Sequence, residues 1–206
     1  MDFYQQKIYE RLARFVPAKA VLPCYNLWLE APFRFVVSKG RLTKLGDFSV
    51  KSSEDLAVIT VNNNLNKYAF LLTYVHEVAH HRVYGQYGKT VKPHGAEWIR
   101  MFQKLMEPFL SGNIFPDPLR TILLKHMRQP KASSQSDLRL AQAIAAYDTE
   151  KPEGVALQEL DLGSNFRLAD KQFQSIEKRR TRIKCKEFKT GKLYLVHKLA
   201  RVLPIN

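Results

Sequence analysis

Cysteine is nearly absent from this chain of 206 residues, which has only Cys24 and Cys185. Two cysteines exclude a disulfide framework and a four-cysteine zinc site, and they fit a reducing compartment. No apolar run approaches the roughly 18 residues of a membrane-spanning helix. The most apolar stretch, 68–79, is too short, so no membrane association is expected. The opening MDFYQQKIYERL is charged and amphipathic, without the apolar centre of a secretion signal. These absences together point to a cytoplasmic protein. Acidic residues are also scarce, 19 Asp and Glu against 33 Lys and Arg, which leaves a net charge of +14.

What the chain does have is concentrated in 68–85, YAFLLTYVHEVAHHRVYG. It contains His76-Glu77-Val78-Ala79-His80, the H-E-x-x-H pattern. Residues four apart on a helix stack on one face, so His76 and His80 can offer two imidazole nitrogens to one ion. Glu77 lies to the side, where a carboxylate can reach a water on the metal without being a ligand. From Tyr68 to Ala79 the segment is apolar on nearly every side, with Glu77 its only charge. A helix apolar all round is normally buried. A lone carboxylate in it is costly unless a cation or hydrogen bonds compensate. A metal resolves that conflict; the competing reading is a set of buried histidines satisfied by hydrogen bonds.

Thirteen residues separate His80 from His94, which opens His94-Gly95-Ala96-Glu97-Trp98. Catalytic zinc takes three protein ligands and keeps a position for water, and His94 is the best third candidate. It follows a loop with Gly85, Gly88 and Pro93 and precedes a helical pattern of Trp98, Ile99, Phe102, Leu105 and Met106. His81 points about 100° from His80 on a helix and is left out of the ligand set, as a surface residue or a partner to a ligand. Glu97, one turn after His94, either orients that imidazole or is an exposed charge.

With the loop between them, His76-Glu77-x-x-His80 and His94-Gly95-x-x-Trp98 resemble the SprT-like zinc metalloprotease domain, the family that includes the DNA–protein crosslink protease Spartan. Leu45-Gly46, Ile59-Thr60-Val61-Asn62, Leu65 and Asn66 are similar to the family's lead-in. The resemblance covers roughly residues 5 to 110. It implies Zn2+ on His76, His80 and His94, with Glu77 as catalytic general base and acid in peptide hydrolysis. It implies an α+β, zincin-like metalloprotease domain with a small sheet beside the metal helix.

In chain order, 3–15 has the apolar spacing of an amphipathic helix ending before Pro17. The segment 23–29 is ambiguous between helix and strand. Strands are expected at 33–37, 41–48 and 56–61, and Asn66 is a candidate cap for the metal helix. Further helices are expected from 94 or 95 to 110, at 119–127 and at 137–147, with a polar break at 130–136. His126 and His197 lack ligand spacing and are expected to be structural or exposed. Beyond 155 the pattern turns to strands at 155–160, 165–168, 172–176, 181–188 and 192–199, with a hairpin turn at 189–192. The expected domains are 1–112, a helical connection 113–150 and a basic β-rich module 151–206. In SprT-like proteins a zinc ribbon often follows the protease domain, but with only Cys185 here this module is read as a ribbon relative without metal.

Most of the excess charge lies in the last part of that module, 171–206. Residues 171–206 hold eleven Lys or Arg against Glu177 and Glu187. Such a stripe suits a polyanion, with Lys178, Arg179, Arg180, Arg182, Lys184 and Lys186 as candidate nucleic-acid contacts; the plainer reading is a solvated basic face. The expected function is a hydrolase, a zinc metallopeptidase acting on protein bound to nucleic acid, DNA by the resemblance. The alternatives are a catalytically silent, zinc-containing nucleic-acid-binding protein acting in transcription or DNA maintenance, and a metal hydrolase with a non-peptide substrate. For the oxyanion, Tyr84 and Tyr87 are near in sequence and unranked.

Overall fold

The computed structural model describes residues 2–41, 44–51, 56–131, 133–149 and 153–205. The fold is mixed α+β, and the chain divides into two compact units, Met1–Ser134 with Ala143–Asp148 and Gln135–Gln142 with Thr149–Asn206. Among the described residues, no helix is long and apolar enough to cross a membrane.

In the first unit, α1 (Phe3–Phe15) starts on a reciprocal cap. The Asp2 carboxylate accepts from Gln5 N at 2.8 Å, and the Gln5 side chain accepts from Asp2 N at 3.0 Å. Its Ile8 and Leu12 are buried. The ambiguous segment is a helix, α2 (Val21–Glu30), which buries Val21, Cys24, Tyr25 and Trp28. That apolar set, three and four residues apart, suits a helix more than a strand's alternation.

Three short strands follow: β1 (Arg34–Ser38), β2 (Gly46–Ser49) and β3 (Val58–Asn62). Their order is β1-β3-β2, with β1 parallel and β2 antiparallel to β3. The strand expected from Arg41 begins only at Gly46, and its Leu42 and Thr43 lie outside the described residues. The approach to β2 is fastened by side chains instead of a ladder. Buried Asn62 donates from Nδ2 to the Lys44 carbonyl at 2.8 Å and accepts at Oδ1 from Arg41 Nε at 2.8 Å.

Across the sheet lies α3 (Lys67–Tyr87). Asn66 caps it, accepting from Tyr68 N at 3.1 Å and Ala69 N at 2.9 Å. The same amide donates to the Ile144 carbonyl at 2.9 Å and Asp148 Oδ1 at 2.6 Å. The helix runs through Gly85 and stops at Gly88, whose φ of 59° favours glycine. Phe35, Ile59 and Val61 of the sheet are buried with Phe70, Tyr74 and Val78 of the helix. Packed on α3 is α4 (Ala96–Ser111), burying Trp98, Phe102, Met106 and Phe109, and α5 (Asp117–Met127) packs on α4. The division between the units runs through α6 (Leu138–Ala145).

The second unit is a six-stranded antiparallel sheet of order β4-β9-β5-β6-β7-β8. Its strands are β4 (Val155–Ala156), β5 (Asn165–Leu168), β6 (Lys171–Lys178), β7 (Arg182–Glu187), β8 (Leu193–His197) and β9 (Arg201–Ile205). Leu157, Phe166, Phe173, Ile183, Cys185, Val196 and Val202 form its core. The strand expected at 155–160 is only two residues long before a tight turn at Leu157–Glu159, and β9 was not expected at all. Pro204 within β9 hides the strand pattern, because proline cannot donate to a ladder.

Candidate metal centre

His76 and His80 occupy successive turns of α3, and His94 reaches them from the turn before α4. Their Nε2 atoms converge: 3.2 Å between His76 and His80, 2.9 Å between His80 and His94, and 3.2 Å between His76 and His94. Nitrogens each about 2.0–2.1 Å from one tetrahedral ion lie about 3.3 Å apart, so this spacing fits a shared ion. Three imidazoles facing one point cannot all be satisfied by one another's protons, whereas a cation satisfies all three lone pairs. Among the described residues this is the one group of three His, Cys, Asp or Glu placed to hold a metal.

His94 gets there at a backbone cost. Its φ is 58°, in the left-handed region that side chains other than glycine avoid, and histidine is among those that enter it most. The turn closes with Gly95 N donating to the Lys92 carbonyl at 2.9 Å, and α4 then starts at Ala96. Strain of this kind persists where the surroundings fix it, as at ligand clamps. Here Trp98 supplies the fixing. Its ring is 4.6 Å from that of His76, 5.4 Å from His80 and 4.7 Å from His94, and it stacks on Phe102 at 4.9 Å.

Burial sets the protonation of these groups. Desolvation, then the charges of His80, His94 and His126, lowers the His76 pKa to about 2. Desolvation and His94 lower His80 to about 4, and desolvation lowers His94. All three are therefore neutral, which is the form that ligates a metal. Glu77 moves the other way. It is 7% exposed, and burial followed by the charge of Asp47 raises it to about 8. Arg41, Lys44 and the Phe48 backbone N–H, which hydrogen-bonds the carboxylate, oppose that rise.

Strand β2 runs so close to this carboxylate that only glycine fits at its start. A Cβ on Gly46 would lie 2.6 Å from Thr73 Cγ2 and 2.7 Å from Glu77 Oε1. His76, His80, His94 and Glu77 all line one cavity of about 480 Å³, which also takes in Lys44, Asp47 and Phe48. Arranged so, the chain can hold a divalent cation with a proton-accepting carboxylate and a substrate-sized space beside it. The chain matches no protein-family model, no curated protein and no solved structure.

The neighbouring candidates fall elsewhere. His81 is not a surface residue: its ring packs edge-on to Phe33 at 5.3 Å, and its buried Nδ1 has no hydrogen-bond partner. Glu97 pairs with Arg100 at 3.3 Å. Neither Tyr84 nor Tyr87 lines the cavity; Tyr84 packs on Phe48 at 5.7 Å and Tyr87 is 43% exposed. His126, expected to be structural or exposed, is buried and lines the cavity. No spacing in the sequence signals that, because α5 is a separate element.

The six basic candidates lie in the second unit on the β6–β7 hairpin. Arg182, Lys184 and Lys186 share the outward face of β7, alternating with buried Ile183, Cys185 and Glu187. Lys178, Arg179 and Arg180 stand exposed at the turn. Arg179 pairs with Glu177 at 3.1 Å, Lys184 lies 4.0 Å from the same carboxylate, and Arg182 donates to the Leu195 carbonyl at 3.1 Å. The six are thus spread along β7 and the turn before it, with Arg179 and Lys184 beside the one carboxylate of Glu177.

Proposed function

We propose that this protein is a zinc-dependent metallopeptidase of the SprT-like type, with a zincin-like catalytic unit, acting on protein associated with nucleic acid. The observation that carries this is the convergence of three neutral imidazoles beside a buried carboxylate inside one cavity. A structural site has no use for that carboxylate. When bound, zinc lowers the pKa of a water towards about 7 and polarises a carbonyl. His76, His80 and His94 would hold the ion through Nε2. Glu77 accepts the attacking water's proton at its carboxylate and passes it to the departing amine. The Phe48 N–H and the closeness of Gly46 hold that carboxylate in one orientation. Among the described residues, strand β2 pairs on one side only, with β3, so its other edge can take an extended substrate backbone. The basic face of the β6–β7 hairpin supports contact with phosphates, which concentrates the enzyme on nucleic acid.

Metal analysis and cleavage assays with and without DNA test this. Wild type should hold about one zinc per chain and His94→Ala little or none, since three ligands are the minimum of such a site. Glu77→Gln should keep its zinc and lose cleavage by a factor of about 10² to 10⁴ or more. Zinc in both wild type and Glu77→Gln, with no cleavage by either, would favour a silent zinc-containing nucleic-acid-binding protein.

A further inference from the structure

An edge strand can offer a substrate only the backbone groups that its own sheet leaves free, and the pairing of β2 tells which these are. Along an antiparallel pair, residues that exchange hydrogen bonds alternate with residues that do not. Asn62 N donates to the Leu45 carbonyl at 2.9 Å, and Gly46, Asp47 and Phe48 stand opposite Val61, Thr60 and Ile59. Leu45 and Asp47 are therefore turned towards β3, while Gly46 and Phe48 turn their N–H and C=O to the open edge. The Phe48 N–H is already engaged by the Glu77 carboxylate. The strand's pairing thus leaves Gly46 offering both groups and Phe48 offering its C=O.

The same position fixes where a substrate side chain goes. Residues directly opposite each other in a sheet share a face. The face of Gly46 is the α3 face, because a Cβ there would lie 2.6 Å from Thr73 Cγ2 and 2.7 Å from Glu77 Oε1. A substrate residue across from Gly46 therefore turns its side chain to the part of α3 around Thr73. Leu72, four residues before His76, lies on the same helix face as that ligand and about 6 Å along it. The Phe102 ring of α4 is 5.7 Å from the His76 ring. Leu72 and Phe102 line the cavity although they are only 3% and 2% exposed, so they close its inner end. The Thr73 hydroxyl donates to the Ala69 carbonyl at 2.8 Å, and its methyl faces β2. An apolar side chain gains by burial against such groups, whereas a charged one gives up its water.

We propose that Gly46 is the backbone anchor of the substrate, and that Leu72, Phe102 and the Thr73 methyl form the pocket that selects an apolar side chain on the anchored residue. This rests on the peptidase reading and adds a substrate class to it: extended chains with a leucine-sized apolar residue within two residues of the scissile bond. The Gly46 N–H donates to a substrate carbonyl, and the Gly46 C=O accepts from a substrate N–H. Since Phe48 adds only its C=O, the ladder is short, and the pocket carries the selection.

The test uses the zinc-loaded full chain and a cleaved peptide whose scissile bond is located by mass spectrometry. The peptide is remade with Ala, Leu, Asp or Lys at each of the two positions on either side of that bond. At one position kcat/KM should rise about 10-fold or more from Ala to Leu, and fall for Asp and Lys. Binding is read separately, by calorimetry on zinc-loaded Glu77→Gln, with single backbone nitrogens of the Leu peptide methylated. Affinity should fall most, by about 10-fold, at the selected residue if the substrate runs antiparallel to β2, or at the residue after it if parallel. Leu72→Phe fills the pocket and should remove the preference for Leu over Ala. Leu72→Ala enlarges it and should move the optimum from Leu to Phe.

A wild type that cleaves with Ala, Leu, Asp and Lys equally accepted at all four positions would overturn the proposal and leave the peptidase reading standing. A preference untouched by both Leu72 variants would overturn it too, as would a methylation effect found only two or more residues from the selected one. Should neither Leu72 variant fold, the substitution and methylation series, which leave the pocket unaltered, still decide. A wild type that cleaves no protein, with no peptide bound by zinc-loaded Glu77→Gln, would remove the peptidase reading, and this proposal with it.

Discussion

Three histidines, two on α3 and one in the turn before α4, bring their Nε2 atoms within 3.2 Å of one another, whereas six basic side chains are spread along β7 and the β6–β7 turn. Both groups stand out in the sequence, but they encode different things. Helical spacing fixes where His76 and His80 go, and burial forces a decision about every polar atom among them. A run of lysine and arginine on a half-exposed strand fixes only a face. Water solvates each charge separately, so the arrangement tolerates change. The histidine cluster should therefore respond sharply to small chemical changes, and the hairpin weakly and additively.

The largest expected effect concerns Glu77 in metal-stripped protein. Its folded pKa is raised from 4.5 to about 8. A raised value means that the fold favours the protonated acid. That stabilising contribution is complete below the unfolded value and is lost as pH rises through about 8. The histidines act in the opposite sense. With His76 lowered from 6.5 to about 2 and His80 to about 4, their contribution is present above 6.5 and lost as pH falls through those values. Removing the ionisable group by Glu77→Gln should abolish the alkaline loss. The variant's advantage over wild type should grow from about pH 5 to about pH 9 and reach a few kcal/mol. Urea unfolding of chelator-treated protein at the two pH values measures it. Zinc should shrink the difference, because a cation favours the ionised carboxylate. An advantage independent of pH would mean that Glu77 does not sit in the low-dielectric setting described.

A pair of glycines gives the next effect. Gly46→Ala puts a methyl 2.6 Å from Thr73 Cγ2 and 2.7 Å from Glu77 Oε1, whereas a Cβ on Gly85 meets nothing within 4 Å. The first should cost about 1–3 kcal/mol, since β2 or Glu77 must shift, and on the proposed peptidase reading it should lower cleavage. The second removes a helix-interior glycine and should stabilise by up to about 1 kcal/mol. Thermal unfolding separates them, and equal behaviour would deny the close approach of β2 to α3.

Legibility in the sequence follows the same division. The metal helix, its Asn66 cap and the α4 pattern could be read because each rests on local spacing, and the strands of β1 and β3 stood out by their β-branched residues. The helical nature of α2 could not be read, since Pro23 inside it obscured the pattern. Nor could the strand of β9, which contains Pro204. His126 lay beyond reach for another reason. A lone histidine shows its environment only after α5 packs, and nothing within a few residues of it records that α3 is its neighbour. Gly46 could be noticed as part of a motif but not explained, because its cause is a contact with Thr73 and Glu77, about thirty residues away.

On the hairpin the expected effects are smallest. Arg180→Ala should change folding stability by no more than about 0.5 kcal/mol, because its side chain is exposed at the β6–β7 turn. If that surface contacts phosphates, each lost cation should reduce the slope of log affinity against log salt by about 0.9. Lys178→Ala and Arg179→Ala should then add to Arg180→Ala almost independently. Glu177→Gln should act in reverse, since its carboxylate pairs with Arg179 at 3.1 Å and lies 4.0 Å from Lys184. Removing it frees both cations and should strengthen binding at low salt. Salt-titrated binding to a DNA duplex distinguishes the cases. A flat salt response, or a Glu177→Gln variant no tighter than wild type, would make the hairpin a solvated basic face, and nucleic acid would have to be sought elsewhere on the chain.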